Sequence, residues 1–261
     1  MFKFCSLYSG SSGNCSLVQT DTTKFLIDAG QSAKKIQEAL EALFIDPFSI
    51  NGILITHEHS DHTKGLGIFS KKFNIPVYAN KETWDAMPTQ MGKIDKENIK
   101  YFTFESFSLG DIEVRPFPIP HDAANPCGFN IYYDSKKMSI ATDIGHIDNN
   151  VMNNLSNSCF MLLEANYEPE VLKCSRYPYL LKTRISGPNG HLSNNQAGQA
   201  ISYLAKHGLN SVMLGHLSNE NNFPELAYKT VVDELIENKV ENDNFQVFIA
   251  NRNKTSKIID I

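Results

Sequence analysis

The sequence predicts a single α/β domain spanning residues 1–261, and three observations point there. Short apolar runs of strand type recur along the chain, with segments of helical period between them. Several of these runs end in a histidine or a carboxylate, as happens when strand ends meet at one edge of a sheet and build a site there. No linker, repeat or low-complexity stretch interrupts the chain, and 261 residues suffice for one α/β domain with a large core.

Taken in order, residues 4–8, 16–19 and 24–28 read as strands. The first two are joined by the loop Ser9-Gly10-Ser11-Ser12-Gly13-Asn14, either a plain turn or one whose backbone N–H groups approach an anion. Residues 32–44 carry Ile36, Ala39, Leu40 and Leu43 at helical spacing, and Asp46-Pro47 ends that helix. Ile53-Leu54-Ile55 is a strand leading into Thr56-His57-Glu58-His59-Ser60-Asp61-His62. A helix to about residue 73, a strand near Val77-Tyr78 and a helix over 81–87 follow, with Trp84 a packing residue rather than a substrate platform. Residues 99–107 and 112–117 read as a hairpin turned by Gly110-Asp111, its second strand ending in Pro118-Ile119-Pro120-His121-Asp122. Residues 128–133 and 137–141 make another hairpin, followed by Thr142-Asp143-Ile144-Gly145. A buried strand over 159–163 ends in Glu164, a helix covers 195–206, and a buried strand over 211–215 ends in His216. An amphipathic helix over 223–238 and a closing strand over 245–250 complete the reading.

Composition narrows the class. No apolar run approaches the ~20 residues that span a membrane, and Met1-Phe2-Lys3-Phe4-Cys5-Ser6 lacks the shape of a signal peptide. Cys5, Cys15, Cys127, Cys159 and Cys174 form no C-x-x-C pair, which suits a reducing compartment, and Cys5 and Cys159 read as buried small hydrophobes. A cytoplasmic protein is expected. The net charge of −5 argues mildly against a nucleic-acid partner, but the balance is uneven. Between Val171 and His191 there is no acid, while Lys173, Arg176, Lys182 and Arg184 are present with Tyr177 and Tyr179 between them.

Three of the eight histidines fall between positions 57 and 62. His57 and His59 are two apart, so in an extended loop their rings point to one side and can hold one metal ion. Asp61 and His62 follow after the chain turns and can reach a second ion. Imidazole and carboxylate donors suit zinc, manganese or iron. The bland alternative is a solvated turn rich in histidine.

His-x-His-x-Asp-His after an apolar strand resembles the metallo-β-lactamase superfold. The loop from Ser9 to Asn14, the segment Ile119-Pro120-His121-Asp122-Ala123-Ala124 and the segment Gly190-His191-Leu192-Ser193-Asn194 narrow the resemblance to the YycJ (WalJ) family of bacterial metal-dependent exonucleases. The resemblance implies a four-layer αββα sandwich and two divalent ions, zinc or manganese, with iron a third candidate. It places the first ion on His57, His59 and His121, and the second on Asp61, His62 and His216, with Asp143 and a hydroxide shared by both. It implies that Asp28 orients a metal-site histidine and that Glu164 supports a histidine near the ions. It also implies that His191 meets the scissile phosphate, and Asp61 could orient the nucleophile. The alternatives are a helix N-terminal acid for Asp28 and capping roles for Asp143 and His191. His146 matches no ligand position and reads as a surface histidine.

The basic, aromatic segment is expected to touch substrate, with Lys173, Arg176, Lys182 and Arg184 on phosphates and Tyr177 and Tyr179 stacked on bases. A solvated loop is the alternative. Related nucleases often insert a large domain between the bridging aspartate and the last ligand, and the span from Asp143 to His216 is too short to hold one. The expectation is therefore a small 5′-to-3′ exonuclease acting on DNA. A lactonase, thioesterase or other ester hydrolase on the same metal core is the second reading. A di-iron redox protein is disfavoured because His59 stands where such proteins usually carry glutamate and no flavin domain is present. A non-catalytic module is disfavoured because no ligand is missing.

Overall fold

The computed structural model describes residues 1–240 and 244–261. Two seven-stranded mixed sheets pack face to face. The first contains β1 (Lys3–Tyr8), β2 (Cys15–Gln19), β3 (Lys24–Ile27), β4 (Gly52–Leu54), β5 (Val77–Ala79) and β6 (Ile99–Tyr101) in that spatial order. The second contains β7 (Phe107–Leu109), β8 (Ile112–Pro118), β9 (Cys127–Tyr133), β10 (Lys136–Ala141), β11 (Phe160–Glu164), β12 (Ser211–Gly215) and β13 (Gln246–Ile249), again in sequence order. A last strand, β14 (Ile259–Asp260), pairs antiparallel with β1 and closes the first sheet. Helices α1 (Ala33–Ala42), α2 (Ser60–Thr63), α3 (Leu66–Phe73) and α4 (Lys81–Ala86) connect strands of the first sheet. Helices α5 (Asn149–Leu155), α6 (Pro169–Cys174), α7 (Tyr179–Ile185), α8 (Asn194–Ala205) and α9 (Pro224–Glu237) connect strands of the second.

Alternation along the strands builds three apolar layers. Phe4, Phe25, Phe129 and Phe160 face one another between the sheets, each essentially removed from water. Burial of each contributes roughly 2–3 kcal/mol. Their strand neighbours Cys5, Leu7 and Leu26 point the other way and pack with Ile36 and Leu40 of α1 and Phe69 of α3. Met161, Leu163, Val212 and Leu214 likewise point outward onto Ile201 of α8 and Val231 of α9. With both faces covered, these strands read as continuous apolar runs rather than alternating ones. The result is the expected αββα sandwich.

Strand direction positions the site. β3 and β4 are parallel, as are β10, β11 and β12, and β8 runs with β10 because both are antiparallel to β9. Within each sheet, the residues that follow these strands are therefore delivered to a common edge. There the chain places Asp28, the His57–His62 loop, His121, Asp143, Glu164 and His216.

Two expectations about elements are corrected. Residues 99–107 are not one strand: Ile99–Tyr101 is the far edge of the first sheet, and Phe107–Leu109 belongs to the second. The chain crosses between sheets here because Phe102 and Phe107 stack at 5.7 Å and place Phe102 in the shared core. The basic segment, for which a solvated loop was the alternative, forms the helix pair α6 and α7. The closing strand is not the last, because the short β14, with one apolar and one acidic residue, is too brief to carry a pattern. Cys5 is buried as expected, whereas Cys159 is half-buried. No helix among the described residues is long and apolar enough to cross a membrane.

Candidate metal centre

The Thr56–His62 run begins two residues past the end of β4 and turns into α2. His57 directs Nε2 to within 3.1 Å of His59 Nδ1, and His121 Nε2 approaches that same His59 atom at 3.4 Å. Three ring nitrogens thus converge on one point. A second group, Asp61, His62 and His216, converges beside it. Asp143 lies between them: Oδ2 is 3.1 Å from His62 Nε2, and Oδ1 is 3.7 Å from His121 Nε2 and 3.6 Å from His216 Nε2. All seven residues expected as ligands meet here, from four separate strand ends.

The donor set fits a pair of divalent ions on a structural observation. Asp143 Oδ2 and His216 Nε2 are fully buried, and neither has a hydrogen-bond partner. An orphaned buried polar atom costs about 1–3 kcal/mol, and a cation between these residues would satisfy both. Nitrogen and carboxylate oxygen donors suit borderline divalent metals.

Behind these atoms, buried carboxylates fix the rings. Asp28 Oδ2 is 2.7 Å from His62 Nδ1, and Asp28 also accepts hydrogen bonds from the Thr56 N–H (2.9 Å) and the Thr56 hydroxyl. Glu164, wholly buried, serves two histidines through one oxygen: Oε1 lies 2.7 Å from His216 Nδ1 and 2.8 Å from His191 Nδ1. Its other oxygen accepts from the N–H groups of Ile144 and Leu192. His191 does not cap α8, since Ser193 does so in a capping box with Gln196. The Gly190 carbonyl meets His121 Nδ1 at 3.2 Å. His146 stays outside the cluster as expected, partly exposed, with Nδ1 at 2.8 Å from the Pro188 carbonyl.

Electrostatics follow from this packing. Burial, reinforced by His62, pushes His57 well below its ordinary pKa, so its lone pair is free to bind a cation. Burial also lowers His121. Burial alone would raise the Asp61 and Asp143 carboxyls, but His62 and His216 around them hold both well below the usual range. Burial works against charge on His216 too, yet Asp143, Asp61 and Glu164 push it up to about 10. Glu164 is driven down to about 2, as His191 and His216 outweigh its burial. His191 is raised against its burial, chiefly by Glu164.

Sequence reasoning missed several supporting residues. Asn14 places Nδ2 3.0 Å from His62 Nε2 and 3.4 Å from Asp61 Oδ2, and the Asn14 N–H donates to the Asp61 carbonyl. Ser9 Oγ accepts from the His216 N–H at 2.8 Å, and Asn166 Nδ2 donates to the His216 carbonyl. The glycine-serine loop therefore clamps the site. Its Gly10 N–H is taken by Asn14 Oδ1 and its Gly13 N–H by the Gly10 carbonyl, so those groups do not cradle an anion. Only Thr56, inside the histidine run, carried a local signal.

The expected substrate residues divide between two sides of α7. Tyr177 and Arg184 face the metal pocket with Leu181, Ile185 and His191. Lys173, Tyr179 and Lys182 line a separate groove between α6 and α7, and Arg176 is exposed. Arg184 Nε donates to Asp122 Oδ2 at 2.6 Å, tying α7 to the residue after His121.

Comparison with known proteins agrees with this geometry. Residues 8–194 match the family model of the metallo-beta-lactamase superfamily. The chain is 38% identical to exodeoxyribonuclease WalJ of Streptococcus pneumoniae over 237 residues, covering 90% of this chain and 88% of that one. It is 36% identical to exodeoxyribonuclease YycJ of Bacillus anthracis, covering 90% and 89%. The crystal structure of the metallo-beta-lactamase fold protein YhfI from Bacillus subtilis superposes with a TM-score of 0.70 at 13% identity, covering 98% of this chain and 100% of that one.

Proposed function

The chain belongs to the metallo-beta-lactamase superfamily, and on that footing we propose that it is a metal-dependent exodeoxyribonuclease that degrades DNA from 5′ to 3′. The observation that carries the reading is the shared carboxylate. Glu164 holds a candidate ligand, His216, and the pocket-facing His191 through a single oxygen, so a histidine ring with its Nδ1 engaged stands beside the donor cluster. That is the arrangement phosphodiester hydrolysis needs.

His57, His59 and His121 would hold one ion, Asp61, His62 and His216 the other, and Asp143 both. When bound, such a pair supplies Lewis acidity toward the phosphate and a nucleophile at neutral pH. Asp61, kept anionic by its histidine neighbours, orients the attacking water. His191 commits Nδ1 to Glu164, which leaves Nε2 for the substrate. Its protonated ring stabilises the pentacoordinate charge and hands a proton to the leaving oxygen. Asp28 fixes His62 so that its Nε2 points inward. Tyr177 and Arg184 contact the nucleotide being removed, and Lys173, Arg176, Tyr179 and Lys182 contact the rest of the strand. Zinc or manganese is the expected metal. The five free cysteines support a cytoplasmic location, where thiols stay reduced.

The test is incubation of purified protein with Mn²⁺ or Zn²⁺ and DNA labelled at either end. Progressive release from the 5′ end is expected, and His59→Ala should abolish it. No cleavage with any metal discards the proposal. The second reading, a small-ester or lactone hydrolase, draws on Leu181 and Ile185, which give the pocket an apolar wall. It predicts turnover of lactones or thioesters but not of bis-p-nitrophenyl phosphate.

A further inference from the structure

Resting on the reading that the substrate is DNA, we propose that Arg252 forms a second phosphate subsite at the rim of the metal pocket, gripping the phosphate next to the one that is cut. Arg252 follows β13 and lies outside both the histidine run and the basic helix pair. Its guanidinium is held in one orientation. Nη1 donates to Ser11 Oγ at 3.2 Å and Nη2 to the Leu217 carbonyl at 2.5 Å. Its plane rests against Gly10, where a Cβ would lie only 3.2 Å from the guanidinium carbon.

These contacts tie it to the two loops that shape the site. One is the loop whose Ser9 and Asn14 support His216 and Asp61. The other continues directly from His216. Ser11 and Ser218 line the metal pocket itself, so the guanidinium stands one side chain back from it.

Its charge is uncompensated. Two of five N–H donors are used, and both go to neutral acceptors. Among the described residues Arg252 makes no ion pair, although it is half-buried. None of the pocket acids pairs with Arg252: Asp61 and Asp143 lie beside His62, and Asp122 accepts from Arg184. A partly desolvated arginine in a fixed pose with free donors is built for an incoming anion, and a phosphodiester takes such a fork well. Tyr177 lines the same pocket as Ser11 and Ser218, so an aromatic ring is available on the wall of the pocket that the guanidinium backs.

The experiment compares wild type, Arg252→Gln and Arg252→Lys, all metal-loaded. KM and kcat are measured on a labelled oligonucleotide and on bis-p-nitrophenyl phosphate, which has one phosphate only. Binding of a cleavage-resistant phosphorothioate oligonucleotide is followed by anisotropy across a salt series. For Arg252→Gln the oligonucleotide KM should rise on the order of tenfold, with kcat and the small diester much less affected. The slope of log affinity against log salt should fall by about one. Arg252→Lys should recover part of the binding. Equal losses on both substrates with a lowered unfolding midpoint would make Arg252 a structural strut and overturn the subsite, as would an unchanged salt slope. A wild type that neither binds nor cuts DNA overturns the functional reading, and the subsite with it.

Discussion

Asp28, Asp143 and His216 each adopt a left-handed backbone conformation, with φ of 61°, 58° and 53°. Such a conformation costs a non-glycine residue roughly 1–3 kcal/mol and persists only where the surroundings impose it. Each of the three sits just past a strand end, and the turn aims its side chain into the site instead of along the sheet. Glu164 is the pivot of the second half of the centre. Glu164→Gln keeps the shape but loses the charge that orients His191 and His216, and activity should fall about 10–100-fold, with weaker metal retention in equilibrium dialysis. Gly30 is required for a different reason. A Cβ there would lie 1.6 Å from the Asp61 carbonyl oxygen. Gly30→Ala must therefore displace the loop carrying Asp61, and the variant should bind less than two equivalents of metal and melt earlier in a thermal scan.

At the scale of elements, α7 is attached to the metal centre by its Arg184–Asp122 pair and by the His191 N–H, which donates to the Ile185 carbonyl. Arg184 is mostly exposed, so the pair itself contributes little stability, of order 0–1 kcal/mol. Arg184→Ala should leave the unfolding midpoint nearly unmoved while raising KM for DNA several-fold. A large drop in midpoint would show that α7 is structural. A second element offers a pH test away from the site. Lys137 on β10 donates to the carbonyls of Asn154 and Ser156 at the end of α5. Burial lowers it from 10.5 to about 8. The folded chain therefore releases this proton more readily than the unfolded one, and the fold is penalised below about pH 8. The penalty is relieved as pH rises toward 10.5. Relative to Lys137→Met, the wild type should gain stability between about pH 8 and pH 10.5, as read from denaturant midpoints.

Over the whole molecule, the centre sits where two sheets end together, so metal binding and folding are linked. Ions that bind only the folded chain stabilise it by about 2.7 kcal/mol at a hundredfold excess over Kd. Chelation should lower the thermal midpoint and readdition of Mn²⁺ or Zn²⁺ should restore it, with elemental analysis giving two ions per loaded chain. An unchanged midpoint after verified loading would contradict the closed cluster.

Local pattern determined a good deal about this protein. The His57–His62 spacing, the pinned His121 and the polar ends of apolar strands marked the candidate ligands, because each of those signals is contained within a few residues. Covered sheet faces left apolar runs that set the α/β class. Tertiary structure alone decided the rest. Glu164 serves two histidines, Asn14 and Ser9 reach across from the first loop, the basic segment divides around α7, and Arg252 arrives from the far end of the chain. None of these has a local signature, since each depends on where strands from two sheets bring their ends, and that is settled by the packing of the core between them.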